Sequence, residues 1–186
     1  IGKTVAQRLS IPYYDKELVK QVALESGFDP KFIEEQGAFA PSKNRFAYAF
    51  LGRGVPGAMG GMSASDFLWT IQYRVIRDLA DKGPCVIVGR CADYILKDRD
   101  DCLHTFIHAS MEFRADRIVR LYGESEQSPE KRLTDKDTRR RVNYKHYTER
   151  EWGTAQNYHI TLDSGLIGIE KCVDIILDLV RDENDG

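Results

Sequence analysis

The run CVIVG, residues 85–89, constrains this chain more than any other stretch. It is short, wholly apolar and rich in β-branched side chains. It has no polar alternation that would leave one face to water. Such a segment fits a central parallel strand covered on both faces. Before it, Phe67, Leu68, Ile71, Val75, Ile76 and Leu79 recur at helical spacing behind a capping-box-like Ser-Ala-Ser-Asp beginning at Ser63, and Gly83-Pro84 closes that helix. After it, CADYIL predicts a short helix, DRDD a turn, LHTFIHAS (103–110) a strand, MEFRADRIVRLYG a helix with Phe113, Val119 and Tyr122 among its apolar positions, and the basic stretch beyond it one or two helices. YHITLD (158–163) reads as a last strand, Ser164-Gly165 as a turn and IGIEKCVDIILDLV as an amphipathic helix. Upstream, GKTVAQRL (2–9) is helical, IPYYD is a strand ending in Asp15, and DKELVKQVALESG is a helix stopped by Gly27. FDPKFIEEQG suits a further short helix entered through Asp29-Pro30.

Strands alternating with helices in this way imply an α/β fold: a parallel sheet with helices on both faces. Ligands bind such sheets outside the carboxyl ends of the strands. Topology therefore singles out Asp15, Gly89-Arg90, Ser110 and Asp163-Ser164, a set containing one guanidinium and two carboxylates. That set suits a charged ligand.

With 186 residues the chain suits a single domain spanning 1–186, and no apolar run reaches the roughly 20 residues of a membrane helix. Four separated cysteines (Cys85, Cys91, Cys102, Cys172), in or beside apolar segments, fit a reduced, cytoplasmic setting and offer no zinc spacing. His104 and His108 read as core or rim side chains of a strand rather than ligands. GRGVPGAMGG formally contains G-x-G-x-x-G, but no apolar strand precedes it and no helix follows directly, so it reads as a loop rather than a dinucleotide fingerprint. The net charge of −2 hides an asymmetry: Lys131 to Arg150 holds eight basic and three acidic residues, a local +5 that leaves −7 elsewhere. A basic block on an otherwise acidic protein points to a specific anionic ligand and disfavours nucleic acid as partner.

CVIVGRCADYIL, the opening IGKTVAQRLSIPYYDKEL, the Asp-Lys-x-x-Arg-Arg block leading to Tyr-x-x-Tyr-Thr, and NYHITLDSGLIGIEKCVDIIL together resemble the cytidylate kinase-like family, relatives of the P-loop nucleoside monophosphate kinases. The resemblance covers nearly the whole chain and is weakest across 28–63. It implies a P-loop kinase-like three-layer sandwich with an Arg-rich helical lid over 124–157 and an acceptor-side helical insert over 28–84. It also implies that the phosphate loop and its strand lie upstream of residue 1, in keeping with the lack of an initiator Met. The implied activity is ATP-dependent phosphoryl transfer to a nucleoside monophosphate, CMP or dCMP first, with Mg²⁺ bridging the ATP phosphates and no protein metal ligand named.

By the same resemblance, Lys136, Arg139, Arg140 and Arg141 belong to the catalytic lid, and Asp137 contacts the acceptor. Arg90 would bind the acceptor monophosphate and Asp15 would orient the acceptor or cap the following helix. Arg114, Arg117 and Asp163 would lie on the ATP side, Asp163 contacting the donor base or capping the next helix. Cys91 stands where the family has an Asp, at the point where cytosine or ribose would be read. A related small-molecule kinase, or a nucleotide-binding regulatory module, is the alternative function. Gly2-Lys3-Thr4 mimics the end of a phosphate loop. A helix starting there would span only about 9 Å, half of a strand of ~17–20 Å, so these residues read as helix interior and Lys3 is no site residue.

Overall fold

The computed structural model describes residues 1–15, 17, 18, 21, 24 and 64–182. The stretches FDPKFIEEQG and GRGVPGAMGG, and with them residues 28–63 of the expected acceptor-side insert, lie outside the described residues.

Chain order among the described residues is α1 (Gly2–Leu9), β1 (Tyr13–Tyr14), α2 (Ala64–Asp81), β2 (Val86–Ile87), α3 (Ala92–Ile95), β3 (Thr105–His108), α4 (Met111–Tyr122), α5 (Pro129–Thr148), a 3₁₀ turn at Ala155–Asn157, β4 (Ile160–Asp163) and α6 (Ile169–Asp182). Among the described residues two parallel strand pairs are formed. In one, Tyr13 aligns with Val86 and Tyr14 with Ile87. In the other, Thr105 aligns with Ile160 and His108 with Asp163. Each pair is fed by helices, as parallel connections require. The ladders are shorter than the runs that predicted them, β2 covering Val86–Ile87 of residues 85–89 and β4 Ile160–Asp163 of residues 158–163.

Val86 and Ile87 point to opposite faces of β2 and enter different cores. Val86 joins Val5 of α1, Ile107, Ile160 and Leu162 of the second pair, and Cys172, Val173, Ile176 and Leu177 of α6. Ile87 joins Leu68, Ile71, Val75, Ile76 and Leu79 of α2 together with Ala92 and Ile95 of α3. Helices therefore cover both faces, and the first core ties the two strand pairs together. α1 lies so close to β2 that a Cβ on Gly2 would come within 3.0 Å of the Val88 side chain, so glycine permits the contact. Gly2-Lys3-Thr4 is helical from Gly2, with Lys3 exposed.

One helix differs from expectation and another settles an open alternative. Tyr122, read as an apolar position of α4, is 75% exposed, and only Ala115 of that helix is buried. The basic block, compatible with one helix or two, is a single 20-residue helix. Ser128 caps it, its hydroxyl accepting from the Lys131 amide at 3.3 Å, and Pro129 opens its first turn.

Candidate active site

The turn after β2 is the most strained backbone of the described chain. Gly89, Arg90 and Cys91 follow one another at φ of 76°, 58° and 55°. Glycine adopts that region without penalty, whereas each L-residue there costs about 1–2 kcal/mol. Surrounding contacts hold the run. The Gln72 side-chain amide donates to the Arg90 carbonyl at 3.0 Å, the Ala92 amide reaches back to the Gly89 carbonyl at 3.1 Å, and Cys91 is buried. The result reverses the chain within three residues and leaves Arg90 at the carboxyl end of β2. Burial pushes the Cys91 thiol up to about 12, so it is a neutral core group and neither a nucleophile nor a carboxylate substitute.

Asp15 ends the neighbouring parallel strand, on the same side as Arg90. The Tyr13 phenol is raised, first by burial and then by the charge of Asp15, to which it is hydrogen-bonded. In the second pair the carboxyl ends carry Ser110 and Asp163. Ser110 caps α4, its hydroxyl accepting from the Phe113 amide at 3.2 Å. Asp163 Oδ1 accepts from the amides of Gly165 and Leu166 at 2.9 and 3.2 Å, so it caps the turn leading to α6 rather than α6 itself.

α4 and α5 form an antiparallel hairpin, closed near its tip by Arg132 donating to the Gly123 carbonyl. Its centre is a carboxylate, Asp137, that is only 7% exposed. A buried carboxylate requires compensating partners. Asp137 has two: Arg114 of α4 at 2.7 Å and Arg140, one turn along α5, at 3.0 Å. The Arg140 guanidinium also lies 6.0 Å from the Trp152 ring centroid. Lys136, Arg139 and Arg141 are exposed around the same helix, with Arg141 donating to Thr138 at 3.3 Å. Arg117 stands one turn beyond Arg114 on α4. The hairpin thus brings Arg114, Asp137 and Arg140 together.

Several contacts of this region escaped the sequence reading. Tyr144 donates to Asp93 Oδ2 at 2.6 Å. Tyr147 stacks on Trp69 with centroids 4.5 Å apart and planes at 8°, while its hydroxyl donates to the Ser65 carbonyl at 3.1 Å. Their sequence signals were the Tyr-x-x-Tyr-Thr string, which named no partner, and spacing: Asp137, Tyr144 and Thr148 lie seven and four residues apart, one face of a helix.

His104 and His108 serve no common site. They mark opposite ends of β3, His104 packing against the His159 ring at 4.8 Å and His108 lying 3.8 Å from Asp163. A polar cleft of about 270 Å³, lined in part by His104, Arg150 and His159, opens at the amino ends of β3 and β4 and reaches Asp93 of α3. Among the described residues no His, Cys, Asp and Glu cluster is arranged to hold a metal, and no helix is long and apolar enough to cross a membrane.

Guanidiniums from two helices, Arg114 of α4 and Arg140 of α5, meet at one carboxylate, and Arg90 stands at the carboxyl end of β2. Residues 1–166 match the model of the cytidylate kinase-like family. The chain belongs to that family. Membership points to a kinase-type activity on nucleotides. None of the curated proteins matches this chain. Among solved structures, an uncharacterized protein from Eubacterium ventriosum ATCC 27560 superposes with a TM-score of 0.68 at 22% identity, over 97% of this chain and 88% of that one. At that identity the likeness speaks to the fold, which the two proteins share.

Proposed function

We propose that the protein transfers a phosphoryl group from ATP to a nucleoside monophosphate, CMP or dCMP first. The observation that carries this reading is the Arg114–Asp137–Arg140 cluster. A carboxylate buried between two arginines holds the hairpin's cationic side in a set geometry before any ligand arrives. Phosphoryl transfer depends mainly on positioning and on charge that needs no rearrangement in the transition state. Arg90 grips the acceptor phosphate, with Asp15 beside it orienting the acceptor. Arg139, Arg140, Arg141 and Lys136 form the lid over the transferring group, and Asp137 contacts the acceptor when its arginines turn to phosphate. Arg114 and Arg117 face the donor phosphates, with Asp163 near the donor base. The phosphate loop precedes α1.

The arginine-rich donor set fits the ATP polyphosphate. With Asp137 taken by two arginines, Mg²⁺ would be held chiefly by the phosphates, whose charge it would neutralise. Buried, neutral Cys91 favours one second reading, a kinase of the same scaffold acting on another acceptor, because the turn offers no carboxylate at that position. Incubating the protein with ATP–Mg²⁺ and a panel of CMP, dCMP, UMP, AMP and non-nucleotide acceptors tests both. Transfer to CMP or dCMP is expected. Transfer only to another acceptor favours the second reading. ATP binding with no transfer to any acceptor overturns both.

A further inference from the structure

We infer that Tyr144 is a positioning residue that locks the arginine-bearing helix to the strained turn carrying Arg90. This deepens the function proposed above and rests on it. α5 is one uninterrupted helix, about 30 Å long at 1.5 Å per residue. Asp137, Tyr144 and Thr148 are buried along one side of it. Arg140, bound to Asp137, lies one turn before Tyr144. Whatever fixes Tyr144 therefore fixes, through a rigid rod, where the arginine end stands.

Tyr144 is fixed well. Its side chain is 4% exposed, and its hydroxyl donates to Asp93 Oδ2 at 2.6 Å, a charge-assisted bond linking residues 51 apart in sequence. Burial, and then the bond to Asp93, raise the phenol above its ordinary value, so it remains a protonated donor throughout the neutral range. Asp93 stands in the first turn of α3, directly after Gly89-Arg90-Cys91. Two left-handed L-residues stay in place only while their neighbours over-determine them. Those neighbours are Gln72 of α2, which holds the Arg90 carbonyl, and Tyr144 of α5, which holds Asp93. α2 and α5 are themselves joined by the Trp69–Tyr147 stack and the Tyr147–Ser65 bond. The three segments close a loop of contacts in which the acceptor arginine and the lid arginines share one frame. Without the Tyr144 bond, each half keeps its fold but the two lose their common register. A misplacement of about 1 Å from a remote change can cost on the order of 10²-fold in rate.

Two measurements on the full chain test this, using Tyr144→Phe, Asp93→Ala, their combination and the conservative Asp93→Asn. The first is backbone hydrogen exchange, which needs no activity. Tyr144→Phe should speed exchange across residues 89–96 about tenfold and leave α6 at the wild-type rate. Unchanged exchange across 89–96 overturns the proposal. So does an equal rise in α6, which would mark general destabilisation; Asp93→Ala repeats the comparison with the phenol intact. The second is steady-state kinetics with ATP and CMP. Each single variant should lower kcat about tenfold with the KM for ATP within twofold, and the double variant should fall no further than the worse single. Asp93→Asn, whose side-chain carbonyl still accepts the bond, should recover most of the rate. Losses that multiply in the double variant, or a loss confined to the KM for ATP, overturn it. If the wild type phosphorylates no acceptor, the proposed function fails, and the exchange result alone decides whether the lock exists.

Discussion

α5 and α6 are both long helices docked on the same small molecule, yet they are held by different forces. α6 buries a continuous stripe of Cys172, Val173, Ile176 and Leu177 against the strands and α1. Each such side chain contributes about 1.5–3 kcal/mol without regard to direction. α5 buries Leu133, Asp137, Tyr144 and Thr148, of which only one is aliphatic, and its attachments are an ion-pair cluster, a phenol–carboxylate bond and one aromatic stack. Single hydrogen bonds contribute about 0.5–1.5 kcal/mol net, and somewhat more with a charged partner. The apolar stripe makes α6 a permanent wall. The polar attachments make α5 a part whose position a bound phosphate could compete for, since ligand contacts are of similar strength.

That contrast predicts a division between stability and turnover. Leu177→Ala, in the α6 stripe, should cost about 2–5 kcal/mol in denaturant unfolding while the folded fraction retains its specific activity. A cost under 1 kcal/mol would mean that α6 is less central than its burial implies. Replacing Arg139, Arg140 and Arg141 together by Ala should lower kcat about 100-fold, a loss of the size seen when transition-state donors are removed, with the fold intact but about 1–3 kcal/mol less stable because Asp137 is left with Arg114 alone. Wild-type turnover in that variant would reduce the block to a solvated helix face. Arg90→Ala should raise the KM for the acceptor about tenfold, as loss of a charge-assisted contact would, while ATP binding persists. Equal loss of both ligands would count against an acceptor role.

The smallest effect concerns Cys91. Its folded pKa is about 12, above the ordinary thiol value of 9, so the folded state keeps a proton that the unfolded state releases. Its contribution to stability is full below about pH 9 and is lost as pH rises from there towards 12. Cys91→Ala should accordingly flatten the alkaline loss of stability over that window, measured by unfolding at successive pH values. An unchanged slope would remove Cys91 from the account.

Much of this frame was legible in the residues. Short apolar runs set off by turn signals, Gly83-Pro84 before β2, DRDD before β3 and Ser164-Gly165 after β4, located the strands, and the rule about strand ends led to Arg90, Asp15, Ser110 and Asp163. Helical periodicity marked the buried side of α2, where Leu68, Ile71, Val75, Ile76 and Leu79 all prove buried. The single helix of the basic block was legible too, had Ser128-Pro129 been weighed as a start signal. What stayed hidden depends on distant pairing. Nothing near Tyr144 announces Asp93, and nothing near Arg114 announces that Asp137 will lie beneath it. The left-handed Arg90-Cys91 pair was hidden for the opposite reason: local preference argues against it, and only tertiary contacts impose it. Tyr122 misled because an aromatic at a helical position usually packs, whereas here it projects near the tip of the hairpin.

The turn after β2 also bears on how this protein could be engineered. Arg90 occupies backbone space that suits glycine, so Arg90→Gly should be more stable than Arg90→Ala by about 1 kcal/mol, although both lack the guanidinium. A search that rewards heat resistance alone would drift towards glycine at this position and discard the charge on the way. A screen that scores catalysis alongside melting temperature would hold the arginine, and the gap between the two outcomes would measure how much foldedness the molecule gives up to keep a cation there.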